Sequence, residues 1–308
     1  MSKEGALGVL TTTKLYSIES AIRSAAEGFE KAGLCYGHGT DTALDEASWL
    51  ILHALGLSPV EQPDYARALD ASEVSRCNAI LHRRIEERLP AAYLTGQAWF
   101  AGHPFHADSR ALVPRSPLAE FINSEFFGVL DSKVEPRVLD LCTGGGCIAI
   151  ACAYALPESK IDASDLSEVA LSLAQENVKL HDMQDRVHLL RGSLFEPIDD
   201  TYDLIISNPP YVDSVDISAM PEEFHHEPLM GLAAGSDGLD LVRIILSQAS
   251  DYLSNDGCLV VEVGNSYSAL ESAFAELDFT WLEFTHGGMG VFLLHREQLV
   301  AEFGSSRA

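Results

Sequence analysis

A doubly wound, Rossmann-like α/β domain preceded by a small helical domain is the fold class predicted by three observations. From Arg137 onward, short apolar runs alternate with stretches of helical periodicity, whereas the residues before Pro90 carry helical periodicity alone. A glycine-rich turn follows the first apolar run of the alternating part. Such alternation implies βαβ units and a mainly parallel sheet covered on both faces.

Between Lys14 and Leu89 the apolar residues recur at helical spacing, as in Leu15, Ile18, Ile22 and Ala25 and then Ala47, Leu50, Ile51, Ala54 and Leu55. Thr42 or Asp41 is placed to cap the second helix, Gly56 follows its end, and Ser72 is expected to open a third. From Pro90 to Pro117 the pattern breaks into short aromatic and apolar pieces punctuated by Gly96, Gly102, Pro104 and Pro114, as in a hairpin-like connector. The predicted organisation is a helical domain over 1–92, a connector over 93–113 and a catalytic domain over 114–308. Within the last, strands are expected at 138–141, 160–163, 187–190, 204–206 and 259–261, helices at 148–155, 168–180 and 239–252, and a closing antiparallel pair at 281–284 and 291–294.

The 308 residues include 46 acidic and 20 basic side chains, a net charge of −26. Affinity for nucleic acid rests largely on basic side chains that neutralise phosphates, so this balance opposes direct nucleic-acid recognition. It suits a basic protein partner, or else solubility in a salty medium. Residues 1–5 show no signal-like apolar stretch, and the longest apolar run, 147–156, is far short of a membrane span, so a cytoplasmic location with no membrane role is expected. The six cysteines include no Cys-x-x-Cys pair and read as reduced, mostly buried thiols.

Asp140-Leu141-Cys142-Thr143-Gly144-Gly145-Gly146 lies between the first strand and the next helix, where a doubly wound sheet holds its ligand. The glycines admit a ligand close to backbone amides, Asp140 can orient an ammonium group, and Asp165, at the end of the second strand, can accept both hydroxyls of a ribose. The loop lacks the Gly-x-Gly-x-x-Gly spacing suited to a pyrophosphate, which favours a nucleoside cofactor without phosphates, S-adenosylmethionine. Asn208-Pro209-Pro210-Tyr211 follows a later strand. The prolines fix the backbone and remove two amide donors, while the Asn208 side chain offers a donor and an acceptor, so the tetrapeptide forms a rigid cup for a planar NH2 group. That group can be an amide or the exocyclic nitrogen of a flipped adenine. A turn that merely ends a strand is the structural alternative for the tetrapeptide.

Ala92-Tyr93-Leu94-Thr95-Gly96, Val113-Pro114-Arg115, the 140–149 segment and Asn208-Pro209-Pro210-Tyr211 together resemble the HemK/Prm class of protein-(glutamine-N5) methyltransferases over nearly the whole chain. Members acting on peptide-chain release factors follow proline-arginine with proline-glutamate, whereas this chain has Arg115-Ser116-Pro117. With Trp99-Phe100-x-Gly102-His103, Tyr36-Gly37-His38-Gly39-Thr40, His226-Glu227-Pro228 and Glu262-Val263-Gly264-Asn265, this is similar to the PrmB branch, whose substrate is large-subunit ribosomal protein L-three.

The resemblance implies a class I S-adenosylmethionine-dependent methyltransferase acting on a glutamine of that basic ribosomal protein during ribosome assembly. Matched residue by residue, it gives Asn208, Pro209, Pro210 and Tyr211 as the catalytic cup. Asp140, Cys142, Thr143, Gly144, Gly145, Gly146, Asp165, Ser193, Leu194 and Asn208 form its cofactor site. Cys142 stands where the class often has glycine, and Ser193 where an aspartate commonly meets the adenine amino group; Leu194 is expected beside the base. Arg115 reads as an anchor pairing with a carboxylate, Glu262 either as lining the site or as a capped, solvated strand end, and no metal is expected at His103, His106, His225 or His226. Competing functions are glutamine methylation of release factors, adenine-amino methylation of nucleic acid, and a non-enzymatic ribosome assembly factor.

Overall fold

The structure is a computed structural model that describes residues 9–11, 14–58, 62–126, 128–130, 133–285 and 287–305. The leaderless reading of residues 1–5 lies outside that range. The chain divides into two units, the first built from 1–97 with 221–226 and the second from 98–220 with 227–308.

The first unit holds α1 (Ile18–Ala32), α2 (Ala43–Leu55), α3 (Ala71–Glu86) and α4 (Ala91–Thr95). Thr42, not Asp41, caps α2 by accepting the Asp45 amide, and Gly56 ends it in the left-handed region. The third helix starts one residue earlier than Ser72 suggests, because Asp70 accepts from the Glu73 amide while Glu73 accepts from the Asp70 amide, a reciprocal capping box. Ile18, Ala25, Phe29, Leu50, Ile51 and Leu81 fill the space between the helices.

An ionic cluster joins distant parts of this unit. The fully buried Arg84 guanidinium donates to Glu46 at 2.6 Å, to Glu223 at 3.3 Å and to the Cys35 carbonyl at 2.8 Å. Glu223 also accepts from the Cys35 amide and from Arg88. Burial pushes the Glu46 carboxyl up despite Arg84, whereas at Glu223 the bonds from Cys35, its own backbone and Arg84 outweigh burial and hold the carboxyl low. The Tyr36–Thr40 segment folds over this cluster. Gly37 N bonds Thr40 O, the Thr40 hydroxyl donates to Glu46, and His38 packs on Phe224 with ring centroids 4.3 Å apart. Residues 221–226 therefore belong with the helices of the first unit because a carboxylate and a ring of theirs complete its interior.

The second unit opens with the ribbon of β1 (Gln97–Phe100) and β2 (His103–His106), whose turn residues Ala101 and Gly102 both have positive φ, and with α5 (Leu118–Asn123). Then come β3 (Val138–Leu141), α6 (Cys147–Ala155), β4 (Ile161–Asp165), α7 (Glu168–Leu180), β5 (Val187–Arg191) and β6 (Tyr202–Ser207). The chain ends with α8 (Ser214–Ala219), α9 (Asp240–Gln248), β7 (Leu253–Glu262), α10 (Tyr267–Ala273), β8 (Thr280–Trp281), β9 (Val291–His295) and α11 (Arg296–Phe303). The seven strands run in the order β5-β4-β3-β6-β7-β9-β8, parallel except for β9, which is antiparallel to both its neighbours.

Both faces of the sheet are covered. Val138, Ile161, Leu204, Ile206 and Val260 pack with Ile148 and Val178 on one side, and Leu139, Leu141, Ile205, Leu259 and Val261 with Val242 and Ile245 on the other. Two expected elements are shorter than the sequence suggests. The 239–252 helix stops at Gln248 and continues as a 3-10 turn over Ala249–Asp251, and the strand expected at 281–284 is reduced to Thr280–Trp281, with the Leu282 amide bonding the Val291 carbonyl just beyond it. No described helix is long and apolar enough to cross a membrane.

Arg84→Ala leaves Glu46 and Glu223 buried without their shared cation, and should lower unfolding stability by about 3–5 kcal/mol. Denaturant unfolding followed by circular dichroism measures this, and a shift below about 1 kcal/mol would show that the cluster does not hold the unit together.

Candidate active site

Register brings the two motifs together. Leu141, the last residue of β3, pairs with Ser207, the last of β6, and the Ser207 hydroxyl donates to the Leu141 carbonyl at 2.8 Å. Cys142 and Asn208 therefore leave the sheet side by side at the carboxyl ends of adjacent parallel strands, where open α/β sheets bind ligands.

The cofactor loop is built on two carboxylates. Asp140 is fully buried, and its Oδ2 accepts from the Thr143 hydroxyl at 2.6 Å and from the Ala149 amide at 3.1 Å, the latter in the first turn of α6. Its Oδ1 has no hydrogen-bond partner among the described residues. Burial is the main cause that lifts this carboxyl to about 7, with Asp165 adding repulsion. Asp165, at the end of β4, accepts the Gly144 amide on Oδ2 and the Ser167 amide on Oδ1, both at 2.8 Å. Each oxygen keeps lone-pair capacity for a further donor.

The loop lies against α7 so closely that a Cβ on Gly146 would stand 3.2 Å from Ala174 Cβ, and Gly146 itself has φ +81°. Cys142 has φ +60° and Leu194 +49°, so two non-glycine residues hold left-handed backbone at this sheet edge. Burial, reinforced by Asp165 and Asp140, pushes the Cys142 thiol far up and keeps it un-ionised.

Ser193 and Leu194 follow β5 beside this loop, where Gly192 N bonds Asp165 O and the Leu194 carbonyl accepts from Ser164. Ser193 is exposed, while the Leu194 side chain turns into the core with Phe195 and Ile198.

At the cup, Pro209 and Pro210 are buried, and the Asn208 amide makes no hydrogen bond to other described residues. Tyr211 is held at three points. Its hydroxyl donates to Glu262 Oε1 at 3.0 Å, its carbonyl accepts from Ser266 at 2.8 Å, and its ring sits where a Cβ on Gly264 would stand 2.5 Å away.

Sequence reasoning left one support of the motifs open and missed another. Glu262, open between lining the site and a solvated strand end, is buried, and its second oxygen accepts from Ser116, the residue at which the chain departs from the release-factor pattern. Asn177 of α7, also buried, donates to the Gly145 carbonyl at 2.9 Å and exchanges hydrogen bonds with the His106 backbone. Arg115 pairs with both oxygens of Glu227 at 2.7 Å, the anchoring role its motif suggested. Among the described residues no group of three or more His, Cys, Asp and Glu side chains is placed to hold a metal ion.

Comparison with known proteins agrees with this architecture. Residues 124–227 match the methyltransferase small domain and 21–96 the PrmC N-terminal domain. A ribosomal protein uL3 glutamine methyltransferase of Xanthomonas campestris is 48% identical over 291 residues, covering 94% of both chains. The chain belongs to the uL3 glutamine methyltransferase family. A member from Bordetella pertussis is 46% identical over 290 residues, covering 93% of this chain and 97% of its own. Like other enzymes with this domain, this methyltransferase takes S-adenosylmethionine as methyl donor.

The donor set of this family member fits that cofactor. A buried carboxylate oxygen without a partner suits an ammonium group, and Asp165 suits vicinal hydroxyls. If the ammonium group of the cofactor pairs with Asp140, binding would favour the ionised carboxylate, and affinity would fall as pH drops below about 7. The dissociation constant for S-adenosylmethionine should be about tenfold weaker at pH 6 than at pH 8. Asp140→Asn should bind more weakly at both pH values and lose most of that difference. Isothermal titration calorimetry checks both; an equal pH dependence in the variant would remove Asp140 as the titrating group.

Proposed function

We propose that this chain transfers the methyl group of S-adenosylmethionine to the side-chain amide nitrogen of a glutamine in ribosomal protein uL3. Identity of 48% to a ribosomal protein uL3 glutamine methyltransferase, along almost the full length of both chains, supports the reading. The net charge of −26 supports it, since it suits a basic ribosomal protein and opposes an adenine in nucleic acid. On this reading the helical unit recognises the substrate protein, direct contact with nucleic acid is not required, and the enzyme works in the cytoplasm where ribosomal subunits assemble.

In the proposed mechanism Asp140, Cys142 to Gly146, Asp165, Ser193 and Leu194 hold the cofactor, which supplies an electrophilic sulfonium methyl when bound. An amide nitrogen is a poor nucleophile because its lone pair is delocalised into the carbonyl. The unengaged Asn208 amide and the carbonyls of 208–210, which accept no other backbone hydrogen bond among the described residues, receive the glutamine NH2. Hydrogen bonds from that NH2 to the cup would orient it, favour pyramidal nitrogen and stabilise positive charge as the N–C bond forms and the sulfur–methyl bond breaks, after which one N–H proton is lost to solvent. Preorganisation by Pro209 and Pro210 means that no backbone freedom is lost when the substrate is seated. Tyr211 walls the cup with its ring, because its hydroxyl is already donated to Glu262.

Asn208→Ala should lower kcat by about a hundredfold or more while leaving S-adenosylmethionine affinity within about threefold. The assay is labelled-methyl transfer to recombinant uL3. A rate equal to the parent enzyme would remove the cup from the mechanism, and absence of label with the parent enzyme on both free and subunit-assembling uL3 would reject the substrate.

A further inference from the structure

We propose that Glu262 is a positioning residue for methyl transfer, one that fixes the Tyr211 ring as the wall of the glutamine cup through a carboxylate shared with Ser116. The inference rests on the reading of 208–211 as that cup. Glu262 is the last residue of β7, directly after Val261, which pairs with Ser207 at the end of β6. It therefore occupies the row of the sheet from which Asn208 departs.

Three parts of the second unit meet at this carboxylate. The Tyr211 hydroxyl reaches Oε1, the Ser116 hydroxyl reaches Oε2, and the backbone beyond Glu262 closes against the opposite loop, with Val263 N bonding Gly290 O at 2.6 Å. Gly264 lies under the Tyr211 ring, and the Gly290 Cα faces the Gly264 backbone so closely that a Cβ there would stand 2.3 Å from the Gly264 oxygen. The hydroxyl bond fixes where the far end of the tyrosine side chain lies, and the Gly264 backbone packs against its ring.

Physical economy argues that the carboxylate is there for geometry. Glu262 is buried to 4% exposure, and burial raises its carboxyl in spite of the Ser116 and Tyr211 hydroxyls, so it weakens rather than strengthens the resting fold. An apolar side chain would fill the same space at no electrostatic cost. What only an acceptor with two oxygens provides is a fixed direction for two hydroxyls at once. The Ser116 arm extends the arrangement toward the cofactor. Segment 106–116 begins at the His106 backbone bonded by Asn177, lays Ala111 beside Gly144 and Gly145, and is gripped by Glu227 at Val113 and Arg115 before it reaches Glu262. One strap thus touches both the donor loop and the support of the acceptor cup.

Steady-state kinetics of the full chain with S-adenosylmethionine and recombinant uL3 tests the proposal. Glu262→Gln keeps the shape but replaces one acceptor by a donor, so one hydroxyl loses the acceptor for its proton. Its kcat/KM for the protein substrate should fall about tenfold while cofactor affinity stays within about twofold. Tyr211→Phe should show a similar loss, and the double variant should be no worse than the weaker single variant, because both changes break one interaction.

Unchanged kcat/KM in Glu262→Gln, or losses that multiply in the double variant, would overturn the positioning role. If Glu262→Gln cannot bind the cofactor, Tyr211→Phe decides alone, and full activity there overturns the proposal. Asn208→Ala run in parallel separates the two levels. An inactive Asn208→Ala beside a fully active Glu262→Gln rejects only the positioning role, whereas a fully active Asn208→Ala rejects the cup and this inference with it.

Discussion

The parallel pairing of β3 with β6 is the constraint on which the rest of the site depends. Leu141 opposite Ser207, tied by the Ser207 hydroxyl to the Leu141 carbonyl, sends the donor loop and the acceptor tetrapeptide out of the sheet from adjacent strand ends. A slip of one residue would turn every side chain of one strand to the other face, moving Leu139 or Ile205 from the layer it packs in to the opposite one, whose neighbours do not match it. Hydrophobic burial on both faces therefore fixes the register, and the register fixes which backbone segments are neighbours. Chemistry that depends mainly on holding a nucleophile in line with a methyl group needs this kind of rigidity more than a strong acid or base.

Buried carboxylates perform the local positioning. Asp140 closes the turn after β3 by accepting from Thr143 and from the first turn of α6, and keeps one oxygen without a partner. Asp165 pins Gly144, Glu262 holds Tyr211, Glu227 grips Arg115, and Glu223 completes the interior of the helical unit. At Asp140, Asp165, Glu262 and Glu223 burial works against the charge, and all five carboxylates have directed donors in place. The left-handed backbone at Cys142 and Leu194 belongs to the same pattern, since strain persists only where surrounding contacts over-determine it.

Much of this was legible in the sequence because the relevant signals are local. Alternating apolar runs reveal a parallel sheet, Thr42 and Gly56 bound a helix by capping chemistry, and the Asp140–Gly146 and Asn208–Tyr211 segments carry their geometry in glycines and prolines. The supports were not legible because they are defined by partners far away in the chain. Glu262 at the end of an apolar strand has the same local pattern whether it meets water or Ser116, which lies 146 residues away. Asn177 sits inside an amphipathic helix and looks like one more polar position until α7 packs on the Gly145 carbonyl. Residues 221–226 give no sign in their own composition that Glu223 will bond Arg84, 139 residues earlier. The strand expected at 281–284 is shorter for a simpler reason, because at the sheet edge the pairing with β9 runs only from Thr280 to the Leu282 amide, which bonds the Val291 carbonyl.

On the proposed reading, the enzyme brings a nucleoside methyl donor and a planar amide to adjacent strand ends and relies on placement for its rate. The most direct measurement is tandem mass spectrometry of large-subunit proteins from cells with and without the gene for this chain. The account predicts one uL3 peptide carrying a single added methyl group on a glutamine side-chain amide, present only when the gene is intact. A methylated uL3 glutamine that persists without the gene, or a gene-dependent methyl group found on adenine instead, would contradict it.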